Sequence, residues 1–172
     1  MSIKIRRAGL DDAPSIAKVH VAAWNAAYLG LSDGAARARR SVEIREDQWR
    51  RGLAWPEERG FLVWVAEDEG QIVGFITAGP SEDAQAARDV GEVFTLYLEP
   101  SRIGQGVGRA LMLESLDELK RRGFKEVILW VLADNSRARR FYEAAGLTWD
   151  GTERVKEKNG WKHRDVRYRR PV

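Results

Sequence analysis

Three alternating glycines, Gly104, Gly106 and Gly108, stand in the run Arg102-Ile103-Gly104-Gln105-Gly106-Val107-Gly108-Arg109. Before them lies a β-rich run, Glu92 to Leu98. After them comes a helical repeat of Leu111, Leu113, Leu116 and Leu119. Glycine lets the backbone turn with positive φ and lets a ligand approach without meeting a Cβ atom, and the first helical turn leaves its N–H groups unpaired. A strand, a glycine loop and a helix start in this order form an anion cradle, suited to phosphate or pyrophosphate. Spacing excludes two familiar versions. A dinucleotide loop, G-x-G-x-x-G counted from Gly104, would need glycine where Arg109 stands. No glycine here is followed by the Lys-Ser or Lys-Thr of a triphosphate loop. The plain alternative is a glycine-rich turn without a ligand.

Other reactive side chains are sparse. The chain has no cysteine, which removes disulfides, thiolate metal sites and a cysteine nucleophile, so acyl chemistry must be direct or use another nucleophile. His20 and His163 have no partner in the sequence pattern and read as core or surface residues. No metal site is expected.

Tyr97-Leu98-x-Pro100 followed by Gly104-Gln105-Gly106-Val107-Gly108-Arg109-Ala110-Leu111 resembles the acyl-CoA pyrophosphate loop of the GNAT superfamily of N-acetyltransferases. Further on, Asn135-x-x-Ala138-x-x-Phe141-Tyr142-x-x-x-Gly146-Leu147 is similar to that superfamily's second signature, in the same order. Ile103 stands where the family's loop usually opens with Gln or Arg; because backbone N–H groups carry most of the phosphate contact, this departure touches the polar side-chain contribution and not the site itself. The resemblance implies acetyl-CoA as co-substrate, with pantetheine pairing like an added strand on the backbone of Leu96, Tyr97 and Leu98, pyrophosphate on the amides of Gly104 to Arg109, and Ile103 also among the cofactor-binding residues. Arg102 and Arg109 could add charge there or be solvated. Asn135 would orient the thioester end while capping its helix, and Ala138 would keep that helix close to the ligand. Tyr142 would protonate the leaving thiolate. Glu92 would be the base, directly or through water, with a strand-edge surface charge as its alternative. Trp24 and Tyr28, one helical turn apart, fall where relatives shape an acceptor pocket.

The elements that must position these residues follow from periodicity. Ile3 to Arg6 alternates as a strand. Ile16, Val19, His20, Ala23, Trp24 and Ala27 mark a helix opened by Asp11, Asp12 and Pro14. Gly30 to Gly34 is a break, and Ser41 caps a second helix containing Val42, Ile44, Trp49 and Leu53. Phe61–Ala66 and Gln71–Thr77 read as a hairpin around Glu67-Asp68-Glu69-Gly70, and Ser81 to Asp89 as a loop with some helix. Gly123 ends the helix after the glycine loop. Val127 to Val131 is apolar on both faces, as a central strand is. A short helix from about Asn135 stops at Gly146, and Asn159-Gly160 turns a final hairpin whose first strand starts at Thr152. The order is βααβββαβαββ, an α/β mixed sheet with helices on both faces, which is also the order of the GNAT fold.

At 172 residues the chain suits one domain, 1–172, with a real core. Its 44% hydrophobic and 32% charged residues describe a globular protein without a membrane span, and the start Met1-Ser2-Ile3-Lys4 lacks the apolar stretch of a signal peptide, so the cytoplasm is the expected location. Net charge is +3, and acidic residues surround the basic clusters Arg37/Arg39/Arg40, Arg137/Arg139/Arg140 and Arg164/Arg167/Arg169/Arg170. That describes a solvated face better than a nucleic-acid stripe. The expected partner is a small-molecule amine or a protein N-terminus, with no nucleic acid or membrane. The resemblance also allows a homodimer. The alternative function on the same fold is a non-catalytic CoA-binding or regulatory module.

Overall fold

The computed structural model describes residues 2–27, 41–55, 59–158 and 161–172. Tyr28, the Gly30 to Gly34 break, Arg37/Arg39/Arg40 and the Asn159-Gly160 turn lie outside them. The elements run β1 (Lys4–Arg7), α1 (Ala13–Ala27), α2 (Val42–Leu53), β2 (Leu62–Asp68), β3 (Gln71–Pro80), β4 (Val90–Leu98), α3 (Val107–Arg121), β5 (Glu126–Leu132), α4 (Ser136–Ala144), β6 (Thr148–Lys158) and β7 (Trp161–Pro171). The seven strands form a mixed sheet in the order β1-β2-β3-β4-β5-β7-β6, and the fold class is α/β as expected. The chain divides into two compact units, residues 1–77 with 95–115 and residues 78–94 with 116–172.

In the first unit, β1 pairs antiparallel with β2, and β2 and β3 are buried over nearly their whole length. Their connection differs from the four-residue turn expected. Asp68 stays in β2, and the chain reverses at Glu69 and Gly70, at φ +50° and +79°, the conformation that tight hairpins need. Asp68 is held in the strand by burial and an ion pair described below. Ile16 and Val19 of α1 pack on Val63, Val65, Ile72 and Phe75, with Trp49 and Leu53 of α2 against the same cluster. Ser41 caps α2 as expected, its Oγ accepting from Ile44 N at 3.2 Å, whereas Asp11 and Asp12 lie not in the first turn of α1 but in a 3-10 turn before it, Leu10–Asp12, where Asp12 Oδ2 accepts from Gly9 N at 2.8 Å. Gly74 in β3 is required by packing. A Cβ there would stand 2.5 Å from Leu98 Cδ2 and 3.3 Å from Leu111 Cδ1, so its absence lets the end of β4 and the helix behind the glycine loop close on β3.

In the second unit, β5 pairs parallel with β4 from Val90↔Glu126 to Val93↔Leu129, and β4 runs on to Leu98 past that last rung. On its other side β5 pairs antiparallel with β7, so Val127, Ile128, Leu129 and Val131 are buried, as both-face apolarity requires. Helix α3 ends in a Schellman motif, with Gly123 N bonded to Lys120 O and Phe124 N to Leu119 O. Helix α4 ends the same way, with Gly146 N on Glu143 O and Leu147 N on Tyr142 O. β6 starts at Thr148, earlier than expected. Gly151, at φ +84°, lies within a register shift between Trp149 and Glu153, so this glycine marks a bulge inside the strand. The 81–89 segment contains turns and no helix.

Candidate active site

In the first unit, β4 leaves the sheet at Leu98, and a 3-10 turn, Pro100–Arg102, redirects the chain into the glycines. Gly104 and Gly106 sit at φ +83° and +84°, and among the described residues none beyond their chain neighbours has an atom within 4 Å of where a Cβ would be, so the loop is open to those residues as well as left-handed. Gly106 O accepts from Ala110 N at 3.1 Å as the first bond of α3, which leaves the N–H groups of Val107, Gly108 and Arg109 in the first turn without helical acceptors. Val107 is buried and anchors that turn, while Gln105 Nε2 donates to Ser101 O at 2.7 Å and braces the loop from inside. Ile103 is 40% exposed, an apolar side chain where a polar one would offer extra contacts.

Arg102 and Arg109 separate here. Arg109 is exposed on the first turn of α3, whereas Arg102 Nη1 lies 2.9 Å from Oδ2 of Asp68, a residue only 6% exposed. That pair ties the loop's entrance to the β2–β3 hairpin. Asp68 was not legible as a site residue, because its neighbours Glu67, Glu69 and Gly70 made it look like part of an acidic turn. Arg102→Met would leave a buried carboxylate without its cation. We expect it to lower unfolding free energy by about 3 kcal/mol in denaturant titrations, and Asp68→Leu with Arg102→Met to recover most of the loss.

Tyr97 and Leu98 are half-buried. The Tyr97 ring stacks on His20 at 4.9 Å and tilts against Phe75 at 5.7 Å, which directs its side chain toward the core. Leu96 is half-buried on the same strand. His20 is half-buried at the edge of the core: Trp49 Nε1 donates to its Nδ1 at 3.2 Å, which places the neutral ring's proton on Nε2. Trp24 is half-buried one turn along α1.

In the second unit, Glu92 is not the strand-edge surface charge of its alternative reading. It is 7% exposed, and its Oε2 accepts from Ser81 Oγ at 2.9 Å and Glu82 N at 3.1 Å. Burial pushes its carboxyl above the ordinary carboxylate range, opposed by those two hydrogen bonds and by Arg154. Ser81 escaped notice because it lies in a polar stretch that reads only as a loop.

Asn135 caps α4, with Oδ1 accepting from Ala138 N at 3.0 Å, and Ala138 is half-buried on the first turn. Tyr142 is half-buried on the last turn, its ring edge-on to Phe141 at 5.4 Å, and its carbonyl is fixed by Leu147 N at 3.0 Å and Ala145 N at 3.1 Å. The arginine-rich tail is largely ion-paired: Arg167 with Asp83 and Asp150, Arg169 with Glu126, Arg164 with Glu153 and Arg154 with Asp165. Among the described residues no group of three acidic or histidine side chains could hold a metal ion, and no helix is long and apolar enough to cross a membrane.

Residues 24–147 match the acetyltransferase (GNAT) family. An uncharacterised N-acetyltransferase of Bacillus subtilis, YuaI, is 35% identical over 91% of this chain and 84% of its own length. A mycothiol acetyltransferase of Kocuria rhizophila is 37% identical over 62% of this chain, which spans only 35% of that longer protein. Among solved structures, a PaiA N-acetyltransferase from Thermoplasma acidophilum, determined in complex with coenzyme A, has the same fold, with a TM-score of 0.76 over 100% of both chains at 22% identity. The chain belongs to the acetyltransferase (GNAT) family. It is an acyltransferase of the N-acetyltransferase type, which sets aside the non-catalytic module.

Proposed function

We propose that the whole chain, 1–172, works as one N-acyltransferase domain that transfers the acetyl group of acetyl-CoA by direct attack of a primary amine. The observation that carries this reading is the open left-handed loop at Gly104 and Gly106, whose first helical turn offers the N–H groups of Val107 to Arg109 to an anion. The coenzyme A held by the Thermoplasma neighbour supports it. In this reading the loop, Ile103 to Arg109, holds the pyrophosphate, with Arg109 as the charged side chain because Arg102 is committed to Asp68. Backbone of Leu96, Tyr97 and Leu98 receives the pantetheine arm.

Acetyl-CoA supplies an activated thioester carbonyl, and the chain's own residues manage the protons. An alkylamine with a pKa of about 10.4 is protonated near neutrality, so it must lose a proton before its lone pair can form the new C–N bond. Glu92 takes that proton, directly or through a water, and its raised pKa makes it a better base than an ordinary carboxylate. As the C–S bond breaks, Tyr142 gives its phenolic proton to the departing sulfur, and the second proton, shed by the nitrogen as the amide forms, restores the phenol through solvent. Asn135 orients the thioester end while capping α4, and Trp24 and Tyr28 shape the acceptor side. A small-molecule amine and a protein N-terminus are both accepted classes in this reading. An amine panel spanning both, with release of free thiol as the signal, tests it; release that does not depend on any amine would refute it.

Glu92→Gln separates the base from its surroundings. Because the folded pKa is raised, the charged carboxylate costs stability that the protonated form does not. The favourable share is present below the unfolded pKa and lost as pH rises through the folded one. Glu92→Gln should therefore leave the melting temperature at pH 7 unchanged or higher. Its rate should fall by about 10²-fold between the Glu92 pKa and that of the acceptor amine, and the deficit should narrow at alkaline pH, where solvent supplies free amine. A pH–rate profile superimposable on wild type would remove Glu92 from the mechanism.

A further inference from the structure

Helix α4 carries Tyr142 yet has no buried residue, and its nine residues are too few for a helix to persist alone. The half-buried Ala138, Phe141 and Tyr142 give it only partial apolar contact, and polar contacts add to that hold. Tyr168 on β7 is 0% exposed, paired with Leu129 of β5 on one side and Trp149 of β6 on the other. Its hydroxyl accepts from Arg139 Nε at 3.0 Å and donates to Glu143 Oε1 at 2.7 Å. Arg139 and Glu143 stand one turn apart on α4, so a single oxygen fixed in the sheet grips the helix at two points on one face. Arg139 Nη1 also donates to Ala133 O at 3.1 Å, and Arg170 Nη1 donates to Ala145 O at 2.6 Å at the helix's far end. Two grips on one face stop the helix from rolling about its axis. Tyr142 is the residue next to Glu143, and its ring lies 6.4 Å from that of Tyr168.

We propose that Tyr168 is a positioning residue: its hydroxyl, through Arg139 and Glu143, sets the roll of α4 and hence the aim of the Tyr142 phenol. The inference rests on the acid role given to Tyr142 above. A displacement of about 1 Å at a reacting group can cost ~10²-fold in rate. Tyr168→Phe keeps the ring and removes the grip. It should lower kcat by about 10-fold to 10²-fold with KM for acetyl-CoA little changed. Glu143 is exposed, so Glu143→Ala should fold and reproduce part of the loss, and Glu143→Gln, which still accepts from the hydroxyl, should restore it.

The deciding experiment is a double-mutant cycle in kcat, with ring-labelled tyrosine NMR of the same proteins. Tyr168→Phe should have less than about a 2-fold effect once Tyr142 is already phenylalanine, and in the wild-type background it should shift the Tyr142 ring resonance. Equal effects of Tyr168→Phe in both backgrounds would overturn the inference. If Tyr142→Phe alone left turnover intact, the acid role would fall. The resonance would then decide positioning by itself: a shift supports it and an unmoved signal overturns it.

Discussion

Tyr142→Phe is expected to lower turnover by about 10²-fold or more while acetyl-CoA affinity changes little. A tyrosine with a pKa of about 10 remains protonated at working pH, and a thiol with a pKa of about 8.5 gives a thiolate basic enough to take its proton. The substitution removes one hydroxyl from a ring already edge-on to Phe141, and the backbone bonds from Leu147 and Ala145 to the Tyr142 carbonyl are untouched. Packing should therefore survive, and the melting temperature should stay within a few degrees of wild type. Full turnover, measured where chemistry limits the rate, would exclude the leaving-group role.

The second large effect is expected at the loop. Gly106→Val places a β-branched side chain at φ +84°, a strain of about 1–2 kcal/mol or more, in the open space where the proposed pyrophosphate would approach. Losing one charge-assisted amide contact, about 1.5–3 kcal/mol, should weaken acetyl-CoA binding by about 10²-fold in calorimetry. Strain alone must be separated from that loss, and the other end of α3 supplies the control. Gly123, at φ +89° with equally open surroundings, bears the same penalty in Gly123→Val, away from the loop. That variant should lose stability comparably yet bind acetyl-CoA within about 2-fold of wild type. Equal affinity losses in both would mean that strain, not the cradle, explains the result.

Local backbone requirements were legible in the sequence. Glycine at Gly104 and Gly106 reports a backbone requirement directly, and both positions have the positive φ expected of them. Asn135 is likewise read locally, because a cap serves its own helix. Element order was legible because α1, α3 and β5 have strong periodicity or two-sided apolarity. Boundaries were less legible: Gly151 is a bulge inside a strand expected to start at Thr152, and Glu69-Gly70 make a shorter turn than their acidic neighbours suggested. Long-range partners were hidden for another reason. Asp68 meets Arg102, Glu92 meets Ser81, and Tyr168 meets Arg139 and Glu143 across separations that no periodicity encodes. A weak signal for Tyr168 did exist, since it alternates with buried Val166 on a strand otherwise crowded with arginines. The acceptor side was least legible, since loops define it without a residue code.

The measurement that bears most directly on amine acetylation is a single-turnover quench with acetyl-labelled acetyl-CoA and the amine that gives the fastest thiol release, followed by mass analysis of both product and protein. Direct transfer predicts the label on the amine nitrogen, appearing at the rate at which thiol is released, with none retained on the chain. Label accumulating first on the protein, or ending on a hydroxyl or thiol in place of the amine, would contradict it.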